Sequence, residues 1–169
     1  MSFKVKFPAG SVLDFEKPLR GPKDILDGVW EVEDPIGSTW GYTRDETFRG
    51  PQAIVAELCE TASKNGNLLL NLSPDGDGEI NQAQQSALIE IGKWLQVNGD
   101  AIYGTHNWTQ FSEDNIRFTV KGDDLYAISL VWPTQPLVIK ALAAGKQQGA
   151  VQAVRLLGSS DEVTFKQDD

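Results

Sequence analysis

The chain has 169 residues, of which 15 are Lys or Arg and 24 are Asp or Glu, so its formal net charge at pH 7 is −9. This acidic character argues against binding to nucleic acids and against docking on anionic membranes, because phosphate groups repel such a surface. Hydrophobic residues make up 40% of the sequence, which is enough to build a folded core and argues against a disordered chain.

Cysteine and histidine each occur once, as Cys59 and His106. A single cysteine cannot form an intrachain disulfide, and one Cys with one His cannot make a His/Cys metal cluster. We therefore predict no metal site and no cofactor. A catalytic dyad of Cys59 and His106 would lack a third orienting residue, whereas the position of Cys59 on an apolar helical stripe favours buried packing.

Targeting signals are not evident in the sequence. Residues 1–7 lack the apolar run of a signal peptide, and no apolar stretch reaches the length of a membrane span. These features favour a cytoplasmic location.

The amino-terminal part of the chain is interrupted by proline and glycine over residues 1–27. An alternating pattern at 3–7 is typical of a short strand, and a second one at 29–33 predicts a strand that ends at Asp34. A polar loop with aromatic residues and flanking glycines follows at 37–42.

Helical periodicity predicts helices over 52–64 and 81–97, with a nearly continuous apolar run at 68–72 between them. Such a run is typical of a parallel strand that is covered on both faces. Asn81 is the expected N-cap of the second helix, and Gln84 is expected to reach back to it in a capping box. The alternation of helix, strand and helix indicates β/α architecture.

After Gly104, apolar residues recur at every second position instead of at helical spacing. This alternation predicts an antiparallel all-β segment with a hairpin turn at 122–124. The change in period places a domain boundary near 104–110, and we divide the chain into residues 1–104 and 105–169. The predicted strands are 116–120, 125–131, 137–139, 151–157 and 163–165.

Several short motifs follow one another in a fixed order. They are Trp30-Glu31, STWGY from Ser38, KNGNLLLNLSP from Lys64, DGEI from Asp77, IGKWL from Ile91 and NGDAIYGT from Asn98. No single motif is decisive, but the ordered series resembles the α-L-fucosidase family of retaining glycoside hydrolases over roughly 14–132.

The resemblance implies an imperfect β/α barrel of the TIM type, followed by a C-terminal β-sandwich. A full barrel takes about 250 residues, so residues 1–104 would be a carboxyl-terminal sector of the barrel and 105–169 an incomplete antiparallel β-sandwich. The expected fold class is α/β plus all-β. An open barrel has unpaired strand edges, so we expect self-association or a complementing chain.

The resemblance also implies a pair of catalytic carboxyl groups, which retaining enzymes hold about 5–5.5 Å apart. It places the nucleophile, an Asp, on a barrel strand upstream of this chain. The family's acid/base Glu follows a motif that 14–18 matches, but the next residue here is Leu19. Glu31 and Glu16 are the remaining candidate catalytic residues, and Trp40 resembles the aromatic residue that packs on the methyl group of fucose.

Two functions remain open on this basis. The first is hydrolysis of α-L-fucosyl linkages with retention, acting on a fucosylated glycan or a small α-L-fucoside. The second is a non-catalytic, degenerate module that binds glycans or has a structural role. The alternative roles of the site residues are a structural carboxylate for Glu31, a solvated loop charge for Glu16 and core packing for Trp40. Trp30 is expected to lie in the core.

Overall fold

The first part of the fold is a sheet of three parallel strands in the order β1, β2, β3. In the computed structural model the described residues are 8, 10–16, 21–146 and 150–168. The predicted strand at 3–7 and Leu19 therefore lie outside the described residues. The strands are β1 (Leu13–Glu16), β2 (Trp30–Pro35) and β3 (Asn67–Asn71).

Two helices flank β3, as the periodicity predicted. Helix α1 (Pro51–Ser63) joins β2 to β3, and α2 (Gln82–Asn98) follows β3. Pro51 begins α1, where its missing N–H costs no hydrogen bond. Asn65 adopts a left-handed conformation just after α1 (φ 67°), which stops the helix and lets the chain turn into β3. The observed bounds lie within one residue of the predicted ones.

The start of α2 differs from the predicted capping box in one respect. The Asn81 side chain accepts the expected hydrogen bond from the Gln84 amide (3.0 Å). The Gln84 side chain, however, is fully buried and turns to Ser73. It accepts from the Ser73 amide (3.0 Å) and donates to the Ser73 carbonyl (3.1 Å). The reason is that the Ser73 backbone is buried and needs polar partners, and these two bonds tie the end of β3 to α2.

The β3 strand is covered on one face rather than on both, so the prediction of two-sided burial is wrong. Its alternate leucines pack towards the helices, but Leu69 on the other face is 50% exposed. Within the described residues, no element covers that second face. The core between sheet and helices is formed by Ile36, Ile54, Ala87 and Ile91, with Leu68, Leu70 and Leu72 packed against it.

Trp30 anchors the opposite end of the sheet and lies in the core as expected, with 2% of its surface exposed. Its ring meets Phe15 of β1 edge-on, with centroids 5.7 Å apart. The indole nitrogen donates to the Lys64 carbonyl (3.2 Å) just after α1. Gly66 lies directly against the same ring. Trp30 therefore contacts both neighbouring segments of the βαβ unit.

The second part of the fold is a sheet of three antiparallel strands, β4 (His106–Glu113), β5 (Ile116–Lys121) and β6 (Asp124–Ser129), in that order. The predicted hairpin turn joins β5 to β6, and Gly122 supplies the positive φ of 60° that it needs. The sequence did not predict β4. Its register shifts between Asn107 and Ser112, and this irregularity breaks the alternation of apolar residues.

The predicted strands at 137–139, 151–157 and 163–165 are not strands in the described structure. Among the described residues of this region, one long-range backbone hydrogen bond runs from the Ala144 amide to the Asp168 carbonyl (2.8 Å), and side chains bind other backbone groups. Glu113 accepts from the amides of Lys140 and Ala141 (2.7 and 2.6 Å) at a short 3₁₀ helix, Lys140–Leu142. Gln167 likewise bonds to the Leu142 carbonyl and the Val151 amide. The alternation of apolar and polar residues in these three segments was therefore not sufficient to form paired strands.

Helix α1 connects the two sheets through a charged contact. Glu60 pairs with Lys64 (2.5 Å) and with Arg117 of β5. Burial opposes the ionisation of Glu60, but its bonds to Lys64 and Arg117 outweigh this and lower its pKa. The Lys64 ammonium also lies 4.9 Å from the centre of the Phe111 ring on β4. The fold is thus a parallel β/α segment joined to a small antiparallel sheet, as the fold class predicted. No helix among the described residues is long and apolar enough to span a bilayer.

Cys59 is completely buried in α1, and burial raises the pKa of its thiol to about 12, although the charge of Arg117 opposes the rise. His106 is exposed at the start of β4. The thiolate is the reactive form of cysteine. We therefore expect iodoacetamide at mildly alkaline pH to leave Cys59 unmodified in the folded chain and to alkylate it in urea. Mass spectrometry measures both rates, with Cys59→Ser as the blank, and equal rates would contradict the burial.

Gly66 has no space for a side chain. A Cβ atom at this position would overlap the Trp30 ring. We expect Gly66→Ala to lower the free energy of unfolding by about 1–3 kcal/mol, the usual cost of overpacking. Urea unfolding followed by circular dichroism measures the difference. Gly76→Ala is the matched control, because no atom lies within 4 Å of its added Cβ. Equal stability of the two variants would contradict the tight packing of Trp30.

Candidate active site

A cavity of ≈ 280 Å³ lies at the carboxyl end of the parallel sheet. Glu16 ends β1, Glu33 lies near the end of β2, and Asn71 ends β3. Trp40, in the loop after β2, completes the lining. Parallel β/α folds bind their ligands at this end of the sheet, because the strand ends and the loops that follow them converge there.

Three carboxylates cluster on the uncovered face of the sheet. Glu16 and Glu33 are direct register partners on β1 and β2, and Asp14 precedes Glu16 on the same face. Oxygen atoms of the three groups lie within 4.8 Å of one another. Carboxyl groups this close together can share or pass a proton. Proximity of exposed carboxylates does not by itself define a metal site, and we assign none.

Glu31 lies on the same face of β2 as Glu33 but farther from the cavity. Its register partners are Asp14 on β1 and Asn67 on β3. Successive side chains on one face of a strand are two residues apart, and each residue advances the strand by about 3.3 Å. Glu31 is therefore roughly 7 Å farther from the carboxyl end of β2 than Glu33. Glu31 is not among the lining residues. The structure therefore places Glu16 and Trp40 at one cavity and adds Glu33, while the functional roles of Glu16, Glu31 and Trp40 stay predictions.

Trp40 presents its indole at the cavity rather than in the core, with 40% of its surface exposed. It lies in residues 36–49, which we call the Trp40 loop, between β2 and α1. The Asn71 side chain donates a hydrogen bond to the Trp40 carbonyl (2.8 Å). The strand end on β3 thus fixes the position of the loop that follows β2. An open indole face of this kind can pack on the apolar face of a sugar.

Glu46 also stabilises the Trp40 loop, through hydrogen bonds to Thr39 and Ser73. One carboxylate oxygen accepts hydrogen bonds from the amide and the hydroxyl of Thr39, both at 2.9 Å. The other oxygen accepts from the Ser73 hydroxyl (3.1 Å) beyond β3. Partial burial would raise the pKa of Glu46, but the bonds from Thr39, Ser73 and Ser38 outweigh it and lower the pKa. Glu46 is therefore an ionised acceptor at neutral pH.

Arg49 closes the base of the same loop. Its guanidinium donates to Asp34 of β2 (3.0 Å) and to Glu57 of α1 (2.6 Å). Its amide donates to the Ile36 carbonyl at the start of the loop (2.9 Å). Burial raises the pKa of Glu57, with a contribution from Asp34, although the bond to Arg49 opposes the rise. The loop thus begins and ends at nearly the same point.

Sequence reasoning missed three residues of this region. Glu33 had a signal, since it alternates with Glu31 on one strand face and is closer to the carboxyl end. Asn71 also had one, because it is a polar residue within an apolar run. Glu46 had none, because its partners Thr39 and Ser73 are 7 and 27 residues away in the sequence.

Comparison with protein families matches both parts of the chain. Residues 11–100 match the family described as alpha-L-fucosidase. Residues 109–169 match the alpha-L-fucosidase C-terminal domain. The first match alone covers more than half of the chain and includes every residue that lines the cavity.

Relatives from animals are similar over most of this chain. It is 36% identical to the tissue alpha-L-fucosidase of Rattus norvegicus over 154 residues, which are 87% of this chain and 33% of the rat protein. It is 43% identical to the alpha-L-fucosidase of Branchiostoma floridae over 101 residues, 56% of this chain and 22% of that protein. The chain thus spans at most about a third of the length of these relatives.

Solved structures give the same result. Alpha-L-fucosidase isoenzyme 1 from Paenibacillus thiaminolyticus superimposes with a TM-score of 0.81 at 32% identity, over 92% of this chain and 37% of that one. The Thermotoga maritima alpha-fucosidase in complex with fucose gives 0.64 at 39% identity, over 67% of this chain and 28% of that one. Because the family matches cover residues 11–100 and 109–169 and these structures superimpose on most of the chain, the chain belongs to the α-L-fucosidase family.

Proposed function

We propose that this chain forms the carboxyl-terminal sector of an α-L-fucosidase and supplies one side of its active site. The observation that carries the proposal is the cavity at the strand ends, where Trp40 faces the carboxylates of Glu16 and Glu33 within the segment that matches the catalytic family. The substrate is an α-L-fucosyl linkage in a glycan or a small fucoside. A relative with a matching fold has been solved in complex with fucose, which supports this choice.

The chain's own residues take defined parts in the reaction. Trp40 packs on the apolar face of the fucosyl ring. A protonated carboxyl group of Glu16, Glu33 or Glu31 donates its proton to the glycosidic oxygen as the bond to the anomeric carbon breaks. A carboxylate nucleophile, supplied by the rest of the barrel, forms the bond to that carbon. The proton donor, now ionised, then takes a proton from the water that releases fucose.

The rest of the barrel completes the sheet at both of its edges. In the described structure β1 and β3 each pair on one side only, and the face that carries the carboxylates is uncovered. The missing β/α units, in the same polypeptide or in a complementing chain, provide the other strands. A second copy of this chain is poorly suited to replace the missing β/α units, because of its charge. It would bring Asp14, Glu16, Glu31 and Glu33 against the same acidic residues.

A non-catalytic glycan-binding module is the second candidate. Leu19 favours it, since the family's proton donor at this place is a Glu and leucine cannot transfer a proton. The two candidates differ in whether hydrolysis appears once the barrel is complete, because both require Trp40 to bind the sugar.

We expect the isolated chain to hydrolyse a chromogenic aryl α-L-fucoside very weakly or not at all. With the missing β/α units of a relative supplied by fusion or co-expression, hydrolysis should appear. Glu16→Gln, Glu31→Gln and Glu33→Gln then identify the proton donor, whose loss should lower kcat/KM by about a hundredfold. Glu79→Gln, exposed in the turn before α2, is the control. If all three variants keep the full rate, the carboxylate assignment is wrong.

Sugar binding by the isolated chain gives a second test, which does not need the nucleophile. We expect L-fucose to bind measurably in an NMR titration and Trp40→Ala to weaken the affinity about tenfold, or ~1.4 kcal/mol, a size typical of one aromatic contact. Trp132→Ala is the matched control, because Trp132 is 87% exposed and lies outside the cavity. Equal loss in both variants would contradict a sugar site at Trp40.

A further inference from the structure

We propose that Glu46 is a positioning residue that holds Trp40 at the cavity and so sets the affinity for the sugar ring. Glu46 is not among the residues that line the cavity. It acts on Trp40 through the backbone of the Trp40 loop. The affinity part of the inference rests on the proposed function, whereas the positioning part can be measured without any ligand.

The hydrogen bonds of Glu46 join the residue before Trp40 to the segment that follows β3. Thr39, the residue before Trp40, donates its amide and its hydroxyl to one oxygen of the carboxylate. Ser73, beyond the end of β3, donates to the other oxygen. A single side chain therefore links the tip of the Trp40 loop to the neighbouring strand. Since β3 is fixed to α2 by Gln84, the link anchors the loop to a rigid element.

The loop is built around this carboxylate. The Glu46 carboxyl group occupies the space that a Cβ atom on Gly37 would fill, so the glycine is needed for the carboxylate to approach. Apart from Glu46, the hydrogen bonds found at the loop tip among the described residues are few. Asn71 donates to the Trp40 carbonyl, and the single proton of the Thr39 hydroxyl is shared between Glu46 and the Gly41 carbonyl (2.7 Å).

The partners of Glu46 are all neutral donors. Among the described residues its hydrogen bonds come from Ser38, Thr39 and Ser73, and none comes from Lys or Arg. These donors therefore require acceptor oxygens on the side chain of residue 46, whereas the negative charge of the carboxylate is less important. A glutamine can keep both bonds from Thr39 on its amide oxygen and can donate to the Ser73 hydroxyl with its amide nitrogen. An alanine at the same place removes every bond.

The experiment follows the five tryptophan indole N–H signals of the isolated chain by NMR. Trp40→Phe assigns the Trp40 signal. We expect Glu46→Ala to move or broaden that signal and to leave the signals of the core tryptophans in place. Glu46→Gln should restore it. Asp45→Ala is the matched control. It removes one negative charge from the residue that precedes Glu46, and Asp45 is exposed. Its spectrum should match that of the wild type.

Fucose titration of the same samples supplies the affinity readout. We expect Glu46→Ala to weaken L-fucose binding about fivefold to tenfold, Glu46→Gln to recover most of it, and Asp45→Ala to have no effect. If Glu46→Ala unfolds the chain, Ser73→Ala replaces it. That variant removes one bond only and should shift the Trp40 signal in the same direction by less.

The outcomes separate this inference from the proposed function. An unchanged Trp40 signal in Glu46→Ala, or an equal change in Asp45→Ala, overturns the positioning role. A shifted Trp40 signal with unchanged fucose affinity overturns the link to sugar binding. If the wild-type chain does not bind fucose while Glu46→Ala still moves the Trp40 signal, the proposed sugar site fails and the positioning of Trp40 by Glu46 stands.

Discussion

Parallel pairing of β2 with both β1 and β3 is the constraint on which the site depends. The register sets Glu16 beside Glu33 and Pro35 beside Asn71, so the three strands end within two residues of one another. Because side chains alternate along a strand, Trp30 and Val32 of β2 lie on the buried side, where Asp34 pairs with Arg49, whereas Glu31 and Glu33 lie on the other face. A slip of one residue would exchange the two faces. Core and site are therefore two results of one arrangement.

Trp30 and the residues around it hold this register at the other end of the sheet. The indole fills the space beside Gly66, and its N–H satisfies the carbonyl of Lys64. The side chain of Lys64 in turn joins Glu60, which pairs with Arg117 of the antiparallel sheet. A continuous set of contacts thus runs from the parallel sheet through the end of α1 to the second sheet. Removal of one partner of Glu60 would leave its half-buried charge with a single counter-ion, which weakens the contact.

The face of the parallel sheet that carries the proposed site is open, in contrast to this closed core. Leu69 and the carboxylates lie on a face that no described element covers. The edge strands β1 and β3 each pair with β2 only. The Trp40 loop, however, is already held by Asn71, Glu46 and Arg49. The sugar-packing side of the proposed site is thus preformed. Its remaining catalytic groups are the part that the rest of the barrel has to supply.

The sequence by itself determined the class of fold, the two helices, the parallel strand between them, the core position of Trp30 and the family. These follow from local periodicity and from motif order, which neighbouring residues carry. Only the tertiary structure decided that β3 has one open face, that Glu33 rather than Glu31 lines the cavity, and that 137–139, 151–157 and 163–165 form no ladder. Each of these depends on which segment lies next to which, because burial, register and hydrogen-bond partners are set by residues far away in the chain. Glu46 is the clearest case, since its partner Ser73 is 27 residues away and no local pattern joins the two.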